Sequence, residues 1–326
     1  MARFLVRRIA SAFVLLLIVL SVAFCFTRLL PGDPVGRSTE VSRLTLEQIE
    51  TLRSSYGLDR PMVEQYFTWL GNILLRWDWG PSFSYRQPAA RVLRQALPNT
   101  LILGLTALIL QYGLGLLLGI ATARRAGGLV DNTSRGLSLV VYSVPSFWLG
   151  LLAILLFHGR WRLLPAGGMA SAGAGQLPLG ERWLDLLHHL ILPASILGLM
   201  GGVAIAQFLR NSLLEVLTQD FIRTARSLGM SENRILWRHA LRNALPPLVQ
   251  LFGLSLPTLL NGVLIIEVVF GWPGVGQVLF SACFARDYGL VLAATAYGAL
   301  LVIVGSLLSD LLQRAVDPRV QLEASA

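Results

Sequence analysis

The sequence predicts an all-α polytopic membrane protein with six transmembrane helices, a small helical extracytoplasmic segment and one long cytoplasmic loop. Hydrophobic residues make up 54% of the 326-residue chain and charged residues only 14%, whereas soluble domains carry about 25% charged residues. Six stretches lack charge and are long enough, or nearly so, to cross a bilayer as a helix, which takes about 20 residues. The arginines gather on alternate sides of these stretches, which is the pattern of a multi-pass topology.

The six predicted spans follow one another with polar connections between them. They are Ile9–Thr27, Gln95–Ala123, Gly136–Gly159, Leu190–Leu209, Asn243–Ile266 and Gly289–Ser309. Prolines such as Pro145 and Pro193 lie within them and are expected to kink or break the helices, because proline lacks an N–H group. The first span follows arginines, as in a signal peptide, but its nineteen residues exceed the usual 7–15 of such segments. An uncleaved span is therefore favoured.

Basic residues set the predicted orientation. The net charge is +9, and all 27 basic residues are arginine. With the N-terminus inside, fourteen arginines fall in cytoplasmic segments and four in the short outer loops, as the positive-inside rule requires. Both termini are therefore predicted to be cytoplasmic. Membrane lipid accounts for the charge, and no nucleic-acid partner is needed to explain it.

The spans divide the chain into four segments. These are the N-terminal tail and first span (1–30), an extracytoplasmic segment (31–97), a five-helix core (98–314) and a cytoplasmic tail (315–326). In the second segment, Thr45–Gln48 fits a capping box and Asp59–Pro61 fits a helix start. Its tryptophans Trp69, Trp77 and Trp79 suit a membrane interface or a docking surface. The Gly-, Ala- and Ser-rich stretch Ala166–Gly180 is expected to be a flexible outer loop.

Composition excludes several kinds of chemistry. A chain without lysine has no P-loop lysine and no Schiff base, so any ATP must be bound by another subunit. The adjacent residues His188 and His189 would face about 100° apart on a helix, which makes a poor chelating pair, and no metal site is predicted. Cys25 and Cys283 form no metal-binding pattern; the sequence leaves open whether they pair, and packing is the favoured role.

An arginine-rich loop, defined here as residues 210–243, joins the fourth and fifth spans. Helical periodicity runs over Leu213–Leu228 and places Phe221, Ala225 and Leu228 on one face. Gly229 stands where helices often end in a left-handed residue, and Ser231 is a suitable N-cap for a second helix. The residues leave two interpretations open: a loop whose arginines reach lipid headgroups, or a docking element for a cytoplasmic partner.

The same loop resembles the EAA loop of ABC-importer membrane subunits. Residues 223–229 read RTARSLG and are followed by MSENRILWRHALRNAL, which is similar to the oligopeptide, dipeptide and nickel permeases. The resemblance extends over nearly the whole chain through LLPGDPV, YGLDRP, LPNTLILG, VPSF, HLILPASILGL, FGWPGVG, RDY and DPR. Three motifs depart from the wider pattern. The Glu-Ala-Ala of the superfamily is RTA here and its later Ile-x-Leu-Pro is HALR, both as is usual for this branch, and the common Gly-Asp-Leu-Gly-x-Ser is WDWGPS.

The resemblance implies a permease subunit in a bacterial inner membrane that forms half of the translocation pathway for peptides or related solutes. Its implied partners are a second, non-identical permease, two cytoplasmic ATPase subunits that bind ATP and Mg²⁺, and an extracytoplasmic substrate-binding protein. The chain itself needs no cofactor. A nickel or other metal-chelate permease of the same family is an alternative. An ion-coupled transporter is disfavoured because few acidic residues lie within the predicted spans. An intramembrane hydrolase is disfavoured because the sequence has no GxSxG or HExxH motif.

Two sets of site residues are predicted. The ATPase-coupling residues, on the resemblance, are Phe221, Arg223, Thr224, Ala225, Arg226, Leu228 and Gly229. For an outer gate or pathway, the resemblance implies Trp272, Pro273, Gly274 and Gly276, and polar character within predicted spans adds Gln111, Asn261 and Glu267. Among the latter, Gln111 and Asn261 are intramembrane amides for which helix–helix hydrogen bonding is the alternative. For Glu267, an intramembrane acid, the alternative is an interfacial carboxylate paired with Arg286.

Overall fold

The computed structural model describes residues 2–29, 47 and 59–316, and this part of the chain is mainly helical. The helices are α1 Ala2–Leu29, α2 Met62–Arg76, α3 Ala89–Arg124, α4 Leu129–Ser143, α5 Ser146–Ala153, α6 Leu179–Leu217, α7 Asp220–Ser227, α8 Glu232–Arg234, α9 Leu241–Ala244, α10 Pro246–Val269, α11 Val275–Phe284 and α12 Tyr288–Val316. Short π-helices, Ile154–Arg160 and Ile235–Ala240, follow α5 and α8. The prediction of a mainly helical chain is confirmed.

Two short elements complete the secondary structure of the described residues. Strands β1 (Pro81–Ser82) and β2 (Gln87–Pro88) pair antiparallel with Ser82 opposite Gln87. A single 3-10 turn, Ala174–Gln176, lies between α5 and α6. The start of α2 directly after Pro61 confirms the predicted helix start at Asp59–Pro61. The capping box predicted at Thr45–Gln48 falls outside the described residues apart from Glu47.

Several long helices coincide with predicted spans. Among the described residues, four helices are long and apolar enough to cross a membrane, and a bent pair makes five if it is taken as one span. The four lie in α1, α3, α6 and α12, where the first, second, fourth and sixth spans are predicted. Helix α10, of 24 residues, lies over the fifth. The six-span count stays a prediction.

The third predicted span is not one continuous helix. Helix α4 ends at Ser143, α5 begins at Ser146, and the two helices meet at an angle of 102°. Val144 is extended (φ −103°, ψ 128°) and Pro145 has φ −60°. A residue before proline is pushed towards extended conformations, and proline donates no N–H to the preceding turn. The expected effect of Pro145 is thus confirmed, but α6 continues unbroken past Pro193.

The described residues pack as two compact units. Unit 1 comprises Met1–Thr100 and Pro273–Ile303, and unit 2 comprises Leu101–Trp272 and Val304–Ala326. In unit 1 a core cluster joins α1, α3, α11 and α12 around the fully buried Leu93 and Leu290. Trp79 belongs to this core at 5% exposure, so the expectation that it lies at a membrane interface is wrong. Its ring packs edge-on against Tyr297.

Asp287 fastens the β-hairpin of unit 1 to the start of α12. Its Oδ2 accepts hydrogen bonds from Ser82 Oγ (2.6 Å) and from Ser84 N and Oγ (3.0 and 2.7 Å). Its Oδ1 accepts from Leu290 N (3.1 Å), which is the geometry of an N-cap residue. Cys25 and Cys283, also in unit 1, are both free thiols.

Helices α3 and α6 of unit 2 approach each other along facing glycines. A Cβ atom on Gly115 would lie 2.6 Å from Ile205 Cβ, and one on Gly119 would lie 2.9 Å from Leu209 Cβ. On the other helix, Gly198 and Gly202 meet the Leu110 and Leu114 side chains in the same way. Each pair has the small-xxx-small spacing that lets transmembrane helices pack closely. We call this contact the glycine seam.

A buried ion pair joins α4 to α6. Arg210 Nε and Nη2 donate to the two carboxylate oxygens of Asp131 at 2.5 and 2.6 Å, and Asp131 is completely buried. Gly127 N donates to the same carboxylate. Further along, Gln207 Nε2 donates to Ser138 Oγ at 3.0 Å. Because a buried charge needs a partner, these contacts hold α4 in a defined position on α6.

The stretch Ala166–Gly180 is more tightly bound than the expected flexible loop. Gly168 N donates to Phe270 O (2.7 Å), and a side chain on Gly167 would overlap that same carbonyl. Asp185 accepts from Ser171 N and Oγ at 2.8 and 2.6 Å. The glycines at positions 167 and 168 therefore let the backbone of this stretch come close to Phe270, and Ser171 binds it to Asp185.

The glycine seam generates a testable prediction. Gly115→Ala should destabilise the protein by about 1–3 kcal/mol, because the new methyl group overlaps the stiff Ile205 side chain. Gly113→Ala is the matched control, since nothing lies within 4 Å of a Cβ at that position. Thermal unfolding of the two purified variants in detergent measures the difference. Equal stability of the two variants would contradict the close approach of α3 and α6.

Candidate functional site

The arginine-rich loop begins with a break between α6 and α7. Helix α6 ends at Leu217, and Thr218 Oγ1 donates back to Glu215 O (2.7 Å). Gln219 is extended (φ −72°, ψ 154°) and forms the N-cap position of α7. The helix predicted over Leu213–Leu228 is therefore two helices. Thr218 supplies the physical reason, because its hydroxyl competes with the backbone for the carbonyl groups of the last turn.

Helix α7 is held against unit 2 by its inner face. Ile222 is completely buried and Ala225 is 5% exposed, whereas Phe221 is 40% and Leu228 72% exposed. Of the three residues predicted to share a face, Ala225 is thus buried together with Ile222, whereas Phe221 and Leu228 are exposed. The side chains of Ile222 and Ala225 pack into a core cluster with Leu213 and Ile235.

Gly229 ends α7 in a Schellman motif. Its φ is +77°, a left-handed conformation that glycine adopts without steric cost. Gly229 N donates to Arg226 O (2.9 Å) and Met230 N donates to Ala225 O (3.2 Å), the two hydrogen bonds that define this helix ending. A Cβ at Gly229 would meet nothing within 4 Å. The predicted glycine turn is confirmed, and backbone conformation is the reason for the glycine.

The second helix of the loop starts where the sequence predicts but has a wider central turn. Ser231 occupies the N-cap position with extended backbone (φ −66°, ψ 144°) and makes no side-chain capping bond. The π-helix after α8 buries Ile235, Leu236 and Ala240. Since π-helical bonds run from i to i+5, the arginines after Gly229 do not follow the regular α-helical spacing.

Two polar contacts fix the turn between α7 and α8. Arg226 Nε and Nη2 donate to Glu232 Oε1 and Oε2 at 2.8 and 3.2 Å. The hydrogen bond and the positive charge of Arg226 lower the pKa of the Glu232 carboxyl group. Arg124, the last residue of α3, donates to Asn233 Oδ1. The turn is therefore joined both to α7 and to the end of α3.

The outward face of α7 carries most of the residues assigned to coupling. Phe221, Arg223, Thr224 and Leu228 are exposed. Thr224 Oγ1 donates to Asp220 O (3.0 Å) within the helix. We call these four residues the outer face of α7. Of the other assigned residues, Arg226 and Gly229 shape the turn, and Ala225 is buried beneath it. The sequence could not separate these roles.

The two amides predicted to lie within spans, Gln111 and Asn261, belong to α3 and α10. The Gln111 side chain lies against Gly201 of α6: a Cβ atom added to Gly201 would lie 2.7 Å from Gln111 Cγ. This placement, within the helix contact, matches the packing alternative. Asn261 lies in α10, and its side chain is outside the described ones. The contact with Gly201 was not predicted from the sequence, although Gly201 lies in the glycine-rich part of α6 that faces α3.

Glu267 and Trp272 are both completely buried in unit 2. Trp272 N donates to Glu267 O at 2.8 Å, and Gly271 between them has φ +58°. Trp272 packs in a cluster with Leu103, Leu190 and other apolar side chains. This segment is therefore a tight helix ending that buries both an acid and a tryptophan.

Pro273, Gly274 and Gly276 belong to unit 1. Asn99 Nδ2 donates to Pro273 O, and Val275 N donates to Thr100 Oγ1, both at 2.8 Å. Gly274 is the extended N-cap residue of α11, and Gly276 is buried in its first turn. Side chains near the N-terminal end of α3 thus hold this segment.

The histidines make separate contacts. His188 Nε2 lies 2.9 Å from Leu163 O, and His189 Nδ1 lies 2.9 Å from Asp185 O. Within residues 2–29, 47 and 59–316, no group of three or more His, Cys, Asp and Glu side chains could hold a metal ion.

Comparison with known proteins finds similarity along nearly the whole chain. A model of the binding-protein-dependent transport system inner membrane components matches residues 115–322, and the N-terminal model of the same systems matches residues 1–104. The oligopeptide transport system permease protein AppB of Bacillus subtilis is 34% identical over 322 residues, covering 98% of this chain and all of the relative. The dipeptide transport system permease protein DppB of Escherichia coli is 34% identical over 337 residues, covering 98% of this chain and 99% of the relative.

Two further comparisons agree. A putative peptide transport system permease protein of Brucella abortus is 36% identical over 329 residues, covering 99% of this chain and all of that protein. Among solved structures, the inward-facing MetNI methionine ABC transporter matches with a TM-score of 0.53 at 20% identity, covering 70% of this chain and 97% of that chain. This last likeness concerns the fold alone. The matches along the whole sequence show that this chain belongs to the family of binding-protein-dependent transport system inner membrane components.

Proposed function

We propose that this chain is the permease subunit of an ABC importer and forms half of a translocation pathway for dipeptides or oligopeptides. The observation that carries the proposal is the full-length similarity to oligopeptide and dipeptide permeases. The fold that 70% of this chain shares with a methionine ABC transporter is consistent with it. Nickel or other metal chelates are the alternative cargo of the same family.

The proposed topology has six spans in a bacterial inner membrane with both termini in the cytoplasm. The arginine distribution supports it, because fourteen arginines then lie inside and four in the short outer loops. Helix α10 would be the fifth span, and α4 with α5 the bent third span. The arginine-rich loop is then cytoplasmic.

The proposed partners follow from the same architecture. ATP and Mg²⁺ would be bound by two partner ATPase subunits, since a chain without lysine has no P-loop lysine of its own. A second, homologous permease would complete the pathway, and an extracytoplasmic protein would deliver the substrate.

We assign contact with the ATPase to the outer face of α7. Phe221 and Leu228 are exposed apolar side chains that a protein partner can bury. Ile222 and Ala225 anchor the same helix in the core, and the Arg226–Glu232 pair and the Gly229 turn hold its angle. A displacement of α7 would therefore be transmitted to α6 and α3, which rock the spans between states open to opposite sides.

The residues proposed for the outer gate or pathway are Glu267, Trp272, Pro273, Gly274 and Gly276, together with Gln111 and Asn261. The burial of Glu267 and Trp272 in a tight helix ending supports a constriction near the outer end of α10. For Pro273, Gly274 and Gly276 the support is the family resemblance, and for Gln111 and Asn261 it is the presence of a polar amide within a predicted span.

The transport proposal has a direct test. The chain, reconstituted in vesicles with its ATPase, permease and binding-protein partners, should take up a radiolabelled dipeptide or oligopeptide only when ATP and Mg²⁺ are supplied. Uptake should survive collapse of the proton gradient. Competition by a nickel chelate but not by peptides would contradict the peptide assignment, and uptake driven by a proton gradient without ATP would contradict the whole proposal.

The glycine turn gives a second test. Gly229→Val should reduce peptide-stimulated ATP hydrolysis by at least about tenfold, because a β-branched residue in a left-handed conformation costs about 1–2 kcal/mol and reorients α7. Gly229→Asn is the matched control, since asparagine tolerates this conformation. The comparison is made at equal amounts of the two variants in the membrane, so that a difference in hydrolysis reflects coupling. If both variants hydrolyse ATP equally, the turn is not needed for coupling.

The outer face of α7 gives a third test. Truncation of both Phe221 and Leu228 to alanine should weaken ATPase binding by about tenfold or more, because buried apolar anchors at an interface are each worth over about 1 kcal/mol. Trp237→Ala is the control, because this exposed aromatic residue lies in the same loop but outside that face. Co-purification of the ATPase at increasing detergent stringency measures the effect. Equal retention by the double variant and the control would refute the assignment.

A further inference from the structure

A cleft lies beside the arginine-rich loop, apart from the outer face of α7. Its volume is about 710 Å³, which is in the range of small-ligand sites. One wall is the end of α3 and the turn that leads into α4; the other is formed by the end of α6 and by α8. None of the residues of the outer face lines it.

The rim of the cleft is positively charged. Its lining includes three arginines, Arg124, Arg125 and Arg226, and a single acid, Glu232. Arg226 is engaged by Glu232, and Arg124 uses one nitrogen on Asn233. Arg125 is exposed, and in the part of the chain that the structure describes its side chain makes no hydrogen bond or ion pair. An anion entering the cleft would find donors at adjacent positions.

The rest of the cleft is apolar. Leu236 is 5% exposed and Leu217 half-buried, and Val130 is 45% exposed on the side of α4. A site that combines guanidinium groups with aliphatic side chains suits a ligand with an anionic head and a hydrocarbon part. A soluble phosphate would use only the arginines.

The location of the cleft points to the same chemistry. Helix α3, an apolar span, ends at Arg124, so the arginines stand at the level where the hydrocarbon core gives way to headgroups. Under the proposed topology, on which this step rests, that level is the cytoplasmic leaflet, which is rich in anionic lipid. Basic pockets between transmembrane helices on this side bind anionic headgroups.

We propose that the cleft binds an anionic phospholipid, with its phosphate on Arg124 and Arg125 and its upper acyl carbons against Leu217 and Val130. The lipid would touch both the α3–α4 turn and the arginine-rich loop. It would therefore brace the same loop that the coupling proposal uses, while leaving the outer face of α7 free for the ATPase.

The test measures lipid retained by the transporter. The chain, purified with its ATPase and permease partners in detergent, is titrated with dioleoylphosphatidylglycerol or dioleoylphosphatidylcholine, and bound lipid is counted by native mass spectrometry. Phosphatidylglycerol should bind more tightly than phosphatidylcholine. Arg125→Gln should weaken phosphatidylglycerol binding by about fivefold, the effect of about 1 kcal/mol for one arginine near a headgroup.

Arg135→Gln provides the matched control. Arg135 is exposed in α4 and does not line the cleft, so its variant should bind phosphatidylglycerol like the original chain. Equal losses in both variants would reduce the effect to general surface charge and overturn the proposal. Inorganic phosphate that displaces phosphatidylglycerol at similar concentration would assign the site to a soluble anion instead.

A third measurement tests whether the ATPase covers the cleft, by comparing lipid binding to the isolated chain and to the complex. If phosphatidylglycerol binds the isolated chain but not the complex, the ATPase covers the cleft and the proposal is overturned. Because lipid binding in detergent requires neither uptake nor ATP, its failure and a failure of peptide transport are distinguishable.

Discussion

The hydrocarbon core of a bilayer offers no hydrogen-bond partner to a backbone, and this constraint governs the structure. Every spanning segment must satisfy its own N–H and C=O groups, so the apolar stretches become helices. Apolar contact alone does not drive helices to associate in lipid, because lipid tails are equally apolar. Association depends instead on close packing at small residues. The glycine seam between α3 and α6 is the result, with backbone approach so close that a methyl group at Gly115 would overlap Ile205.

The arginine-rich loop follows a different rule, because under the proposed topology it lies where water and headgroups are available. Its arginines can stay solvated, and its position comes from a small buried cluster. Ile222 and Ile235 are completely buried on either side of the Gly229 turn, so the two short helices share one core. The Asp131–Arg210 pair fastens the neighbouring α4 to α6. The loop is thereby a rigid extension of the spans and not a tether between them.

Prediction of structure from the sequence is correct where one local rule dominates. Uninterrupted apolar length predicts the helices α1, α3, α6 and α12, and the glycine at position 229 predicts the turn, because no other residue adopts that conformation at so little cost. It failed where two rules compete. Periodicity placed Phe221, Ala225 and Leu228 on one face, but tertiary packing buries Ala225 together with Ile222 and leaves Phe221 and Leu228 exposed.

From the order of residues alone follow the membrane class, the long helices, the glycine turn and, through ordered motifs, the family. Three-dimensional packing was needed to separate residues that hold the loop from those that face outward. It was also needed to find the glycine seam, the Asp131–Arg210 pair and the role of Asp287, whose partners are distant in sequence. The physical reason is that hydropathy and backbone preference are local properties, whereas burial and ion pairing depend on what other segments bring to the same place.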